Sequence, residues 1–268
     1  MEQNGLSLGG LREELRRERA SLAVLVYVAL ALTVTEYFLL PGAVFELFPA
    51  AAVSLAPGVH YGAWGLAPAG TNAPWWGTLF PWAWWSGGLF VVWVVLPLGL
   101  ARLQGLRPRD LGLSAAGSAG KWPVYAAMLV LVAPAVLWAA GRESFTTMYP
   151  FLRPEYCQVW SWRLLLCFWG LYALQFFSVE FFFRGWMVFS LERRYGMGAV
   201  WIMLVPYCAI HFHKPLPETL GSILAGAALG YVALRTRSIW GGWCVHVIVA
   251  LGMDVLSLAR GGRFPQVW

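Results

Sequence analysis

Seven apolar runs divide this chain, and short clusters of arginine and lysine close several of them. They cover residues 22–40, 76–100, 122–140, 170–191, 197–212, 218–234 and 239–258. About 20 apolar residues suffice to cross a bilayer as a helix. Inside hydrocarbon the backbone must satisfy its own N–H and C=O groups, so each run is predicted to be helical. The composition agrees. Hydrophobic residues make up 59% and charged residues 12% of 268, whereas a soluble domain carries about 25% charged residues. The expected fold class is therefore all-α, a polytopic transmembrane helical bundle of about seven or eight spans. The eighth candidate, 43–57, is apolar but short and contains Glu46 and Pro49, which suits a re-entrant or interfacial piece. Residues 159–190 are too long for one upright span. They are predicted to split into an interfacial start around Trp160, Trp162, Arg163 and Trp169 and a span proper over 170–191.

The basic residues set orientation. With seven crossings, the N-terminal segment, the 102–121 loop, Arg193 and Arg194, and Arg235 and Arg237 all fall on one side. That side is expected to be the cytoplasm, in a bacterial cytoplasmic membrane. Arg142, Arg153, Lys214, Arg260 and Arg263 are the exceptions. The division expected is 1–21 as a cytoplasmic amphipathic lead-in, 22–100 as N-terminal spans with an outer loop, and 101–268 as a membrane core. Net charge is +6, but the cations lie between apolar runs, so they read as topology signals and no nucleic-acid partner is expected. No cleavable signal peptide is expected either. The four cysteines form no CxxC pair. Gly5-Leu-Ser-Leu-Gly9 matches a serine elbow only as a string, because no strand precedes it.

A charge at the bilayer centre costs at least about 2.5–3.5 kcal/mol on insertion scales, so ionisable residues there mark a polar interior. Five stand out: Glu180, Arg184, His211, His246 and Asp254. Glu180 and Arg184 are four apart, acid first, the favourable order for an ion pair on one helix face. A purely structural pair is the alternative to a functional one. Asp254 lies two turns beyond His246, too far for a direct bond along one helix, and is expected to meet another helix. Glu36 and Glu46 read as solvated groups near an interface. The pair Gly226 and Gly230 permits close helix approach.

Two chemistries suit an acid and two imidazoles on three spans. Glu180 as general base on a water, with His211 and His246 binding that water or an oxyanion, is one. A zinc set of Cys208, His211, Cys244 and His246 is the other, although Cys244 and His246 are only two apart and point to different helix faces.

Val179-Glu-Phe-Phe-Phe-Arg-Gly185, then Tyr207-x-x-x-His211, then His246 in the last span, resembles the CPBP family of intramembrane proteases, which includes the CAAX prenyl endopeptidases and the bacterial Abi proteins. The family pattern is EExxxR, FxxxH and HxxxN or HxxxD on successive membrane helices. The resemblance implies a glutamate-type endopeptidase without a cofactor, acting on a membrane-anchored or C-terminally tailed protein. A sorting protease that trims C-terminal anchors is one form. It implies Glu180, His211 and His246 as catalytic, with Arg184, Tyr207 and Asp254 supporting. Two positions depart from the pattern: Val179 stands in place of the first Glu, and Ala250 in place of the final Asn or Asp. One residue along a helix is a rotation of about 100°, so Glu180 does not point where a Glu at 179 would. The alternatives are a non-catalytic membrane scaffold or bacteriocin-immunity protein, and a small-solute transporter, for which neither repeat symmetry nor broken-helix pairs are visible.

Overall fold

The structure, a computed structural model, describes residues 8–48, 61–62, 65–66, 75–157 and 159–268. The chain forms α1 (Leu8–Val34), α2 (Ala43–Leu47), α3 (Trp75–Phe90), α4 (Leu96–Leu103), α5 (Trp122–Ala139), α6 (Glu143–Thr146), α7 (Trp162–Glu180), α8 (Val188–Tyr195), α9 (Gly198–Ala209), α10 (Leu216–Thr236) and α11 (Trp240–Gly261). Between α2 and α3, Tyr61–Gly62 pairs antiparallel with Gly65–Leu66. Among the described residues, six helical stretches are long and apolar enough to cross a membrane. The molecule is a multi-pass membrane protein built as a helical bundle.

Two expectations need correction. The stretch 159–190 does not split. Ser161 caps the helix start by accepting from Leu164 N at 3.3 Å, and helix continues from Trp162 to Tyr195 over 34 residues. At 1.5 Å per residue that is about 51 Å, far more than the roughly 30 Å of hydrocarbon. Its last turns are polar, with Glu192, Arg193 and Arg194, and end against other charged groups. The fifth run is shorter than expected, because α9 stops at Ala209 after 12 residues, about 18 Å, and the chain turns back through Ile210 to Lys214. The described part of the expected lead-in runs without a break into the first span. From Leu8 onward α1 is continuous, since its Arg, Glu, Leu and Ala residues are good helix formers and neither Gly nor Pro follows Gly10 until Pro41. Residues 1–7, and 49–57 of the candidate re-entrant piece, lie outside the described residues.

The two ends of the bundle are tied separately. At one end Arg194 Nη2 lies 2.6 Å from Glu18 Oε1, Arg237 pairs with Glu192, and Ile239 N donates to Gly112 O at 3.0 Å. This gathers the start of α1, the 102–121 loop and the basic closures after α7 and α10, the same set that the Lys/Arg distribution groups. At the other end Arg263 meets Glu155 at 2.6 Å, and Trp160 Nε1 donates to Arg263 O at 2.7 Å.

Between the ends the core is aromatic. Among the described residues, three wide π-helical turns interrupt the long helices, at Thr35–Leu39, Val91–Val95 and Phe181–Met187. Such turns carry poorly matched backbone bonds and occur often at functional sites. Here they are cross-linked. Trp93 stacks on Phe182 at 5.0 Å and donates from Nε1 to Thr35 Oγ1 at 3.0 Å, and Tyr27 donates its hydroxyl to Val92 O at 2.5 Å. Close helix approach comes from glycine. A Cβ at Gly226 would fall 2.7 Å from Leu204 and Tyr207, so the surface of α10 fits against α9 only without a side chain there.

Candidate active site

Glu180 is the last residue of α7, just before the π-helical turn, and is fully buried. Arg184, one turn on, places Nη1 3.0 Å from Glu180 Oε1. The expected ion pair therefore forms. Arg184 is also fully buried, and its guanidinium lies 3.7 Å from the centre of the Tyr207 ring. The same Glu180 oxygen lies 2.7 Å from His246 Nδ1, delivered by α11. Gly242, one turn before His246, makes room for the carboxylate: a Cβ there would stand 2.6 Å from Glu180 Oε2.

The tautomers follow from these partners. A carboxylate only accepts, so His246 Nδ1 donates, and in the neutral ring Nε2 is left as an acceptor. Tyr207 places its hydroxyl 3.2 Å from that Nε2, and Phe176 stacks on the imidazole at 5.0 Å. His211 sits in the turn after α9. Its Nδ1 lies 2.9 Å from the Tyr207 carbonyl, so Nδ1 donates there and Nε2 remains an acceptor. Its ring turns back on Tyr207 at 4.8 Å between centroids, which offsets its more outward place in the chain. Glu180, Arg184, Tyr207, His211 and His246 thus form one connected cluster.

Two cavities meet at the imidazoles. The first, about 210 Å³, lies among α1, α3, α7 and the turn after α9; the second, about 250 Å³ and mostly apolar, lies among α5, α10 and α11. His211 and His246 line both. Val179 lines the first, whereas Glu180 lines neither. The expectation that Glu180 itself touches a reacting water therefore does not fit this geometry. The one-residue offset sends its carboxylate into the protein and leaves a valine on the cavity wall.

Asp254 stands apart from the cluster. Its Oδ1 accepts from Phe151 N at 2.8 Å and its Oδ2 from Trp169 Nε1 at 3.1 Å. It meets other elements, as expected, but as a buried staple between α11, the 147–157 loop and α7. The four residues of the zinc alternative do not converge: among the described residues no three His, Cys, Asp or Glu side chains are grouped to hold a metal ion, and Cys244 is exposed.

The comparisons with known proteins add one decisive observation. Residues 160–252 match the family of type II CAAX prenyl endopeptidases, Rce1-like. This segment is similar to that family. It contains Glu180, Arg184, Tyr207, His211 and His246 and ends before Asp254, the same partition that the hydrogen bonds draw. Neither a curated protein nor a solved structure matches the chain.

Sequence reasoning missed several residues of the first cavity. Gln175, Glu36, His213 and Lys214 all line it. Gln175 is buried, and its Oε1 has no partner among the described residues. The available signals were a glutamine inside the apolar run around 170 and the polar pair Thr35-Glu36 near the end of the first run.

Proposed function

We propose that this protein is an intramembrane endopeptidase that hydrolyses a peptide bond in a membrane-anchored or C-terminally tailed protein, in the cytoplasmic membrane of a bacterium with its N terminus in the cytoplasm. The observation that carries the reading is the chain Glu180–His246–Tyr207 beside His211, with both imidazoles on the walls of the two cavities. Each imidazole fixes its Nδ1 on a protein acceptor; His246 Nε2 takes the Tyr207 hydroxyl, which leaves His211 Nε2 for the reacting water. Glu180 acts through His246, holding ring and tautomer as the carboxylate of a catalytic triad does. Arg184 neutralises Glu180 and supports Tyr207. The mostly apolar second cavity suits the hydrophobic part of an anchored substrate. Trimming of C-terminal membrane anchors is one form of this activity. No cofactor takes part in the scheme.

The sealed position of Glu180 and the valine at 179 favour a second reading, a non-catalytic membrane scaffold or bacteriocin-immunity protein. Processing assays separate the two. The purified full chain in liposomes is expected to cleave single-span reporter proteins with C-terminal apolar tails, and Glu180→Gln, His211→Ala and His246→Ala to cleave them far more slowly. Equal processing by all three variants removes the hydrolase reading.

A further inference from the structure

The proposed site offers the water one free imidazole acceptor, His211 Nε2, and the buried carboxylate of Glu180 does not reach it. We propose that Glu36, on the first membrane helix and outside the Rce1-like segment, is the carboxylate that takes the water's proton. This rests on the endopeptidase reading and completes its site.

Glu36 lines the first cavity with Gln175, Val179, His211, His213 and His246. One other carboxylate touches the shared space, Glu218 in the second cavity, and both its oxygens are engaged: Oε1 with Lys214 at 2.7 Å and Oε2 with the Tyr149 hydroxyl at 2.9 Å. Glu36 uses Oε1 on His213 Nε2 at 3.3 Å, and its side chain is 46% exposed, so an oxygen is left for water. Its backbone is built rather than incidental. Glu36 belongs to the π-helical turn Thr35–Leu39. Thr35 there donates to Ala31 O at 2.8 Å and accepts from the buried Trp93 Nε1 at 3.0 Å. Gln175 stands on the same wall.

The step balances with water alone. A water directs one O–H to the Glu36 carboxylate and the other to His211 Nε2. As its oxygen bonds to the scissile carbonyl carbon, Glu36 takes the first proton. Glu36 returns that proton to the amide nitrogen as the C–N bond breaks, which gives a carboxylic acid and an amine and restores the carboxylate.

Glu36→Gln is expected to lower kcat about 100-fold or more with KM within about twofold, and Glu36→Asp to retain part of the turnover. Because Val179 lines the same cavity, the double variant Glu36→Gln with Val179→Glu is expected to regain at least about tenfold over Glu36→Gln alone, a rescue that loss of a structural contact would not allow. The assay is turnover of the single-span reporters by the full chain in liposomes, with helicity and thermal unfolding as fold controls. Glu36→Gln with unchanged turnover overturns the role of Glu36 and leaves the endopeptidase standing. A folded Glu36→Gln that is inactive and gains nothing from Val179→Glu also overturns it. If Glu36→Gln fails to fold, Glu36→Asp decides, with wild-type kcat overturning the role. A wild-type chain that cleaves none of the reporters overturns both.

Discussion

Glu180 Oε1 lies 2.7 Å from His246 Nδ1, across 66 residues of chain, while the other face of that imidazole opens to the cavities. The carboxylate is thus placed to set the tautomer of the ring. In Glu180→Gln the amide offers an N–H as readily as an oxygen, and the ring loses its fixed donor at Nδ1. Turnover is expected to fall about 10²–10⁴-fold with little change in KM. A direct check is the ¹⁵N spectrum of His246 in the wild type, with a protonated Nδ1 and an unprotonated Nε2 in the neutral ring. The reverse tautomer contradicts the geometry.

The same carboxylate is paired with Arg184, and both are buried. Removing one partner of a buried pair strands the other charge, which typically costs about 3–5 kcal/mol. Arg184→Met is therefore expected to destabilise the protein by about that amount, read from thermal unfolding in detergent. Adding Glu180→Gln to Arg184→Met is expected to restore part of the loss, since no lone charge remains. Additive losses in the double variant would mean that the two side chains are not energetically coupled.

How far the sequence could be read depended on the range of the interactions. The Glu180–Arg184 pair is local, and its four-residue spacing announces it. The helices were legible because lipid permits little else, and the end groupings because charge avoids hydrocarbon. The unbroken helix through 162–195 was not, since apolar length says nothing of how far a helix runs beyond the membrane. The contact of His246 with Glu180 depends on the packing of α11 against α7 at Gly242, which no spacing encodes. The place of Glu36 on the first cavity was hidden for a similar reason: a carboxylate near the end of an apolar run looks the same whether water or a cavity receives it. Asp254 was the reverse case, a buried acid near His246 in sequence whose partners lie on other elements.

Asp254 therefore offers a contrast with the cluster. Both its oxygens accept from donors that are otherwise buried, and truncation would leave Phe151 N and Trp169 Nε1 without partners at about 1–3 kcal/mol each. Asp254→Ala is expected to unfold at markedly lower temperature, with Asp254→Asn less affected. Per folded molecule, Asp254→Asn should keep most of its turnover. A large fall in kcat for Asp254→Asn at unchanged stability would place this acid in the chemistry after all.

The tail that follows α11 is held by charge as well as by aromatic contact. Arg263 meets Glu155 at 2.6 Å, while Phe264 stacks on Trp162 at 5.8 Å. Partial burial pushes the Glu155 carboxyl up, but its backbone hydrogen bond and Arg263 outweigh this and hold it below the ordinary value of 4.5. A depressed folded value means that this contact contributes stability above the unfolded value and loses it as pH falls through the folded one. The pair is half in solvent, so the effect is small and screened by salt. Acidification from pH 6 toward about pH 3 is expected to loosen the tail before the bundle unfolds, followed by the fluorescence of Trp162 and Trp268 or by proteolysis after Arg263. Glu155→Gln should flatten that acid transition and leave the unfolding of the bundle in place. An unchanged transition in Glu155→Gln would assign the acid sensitivity to other groups.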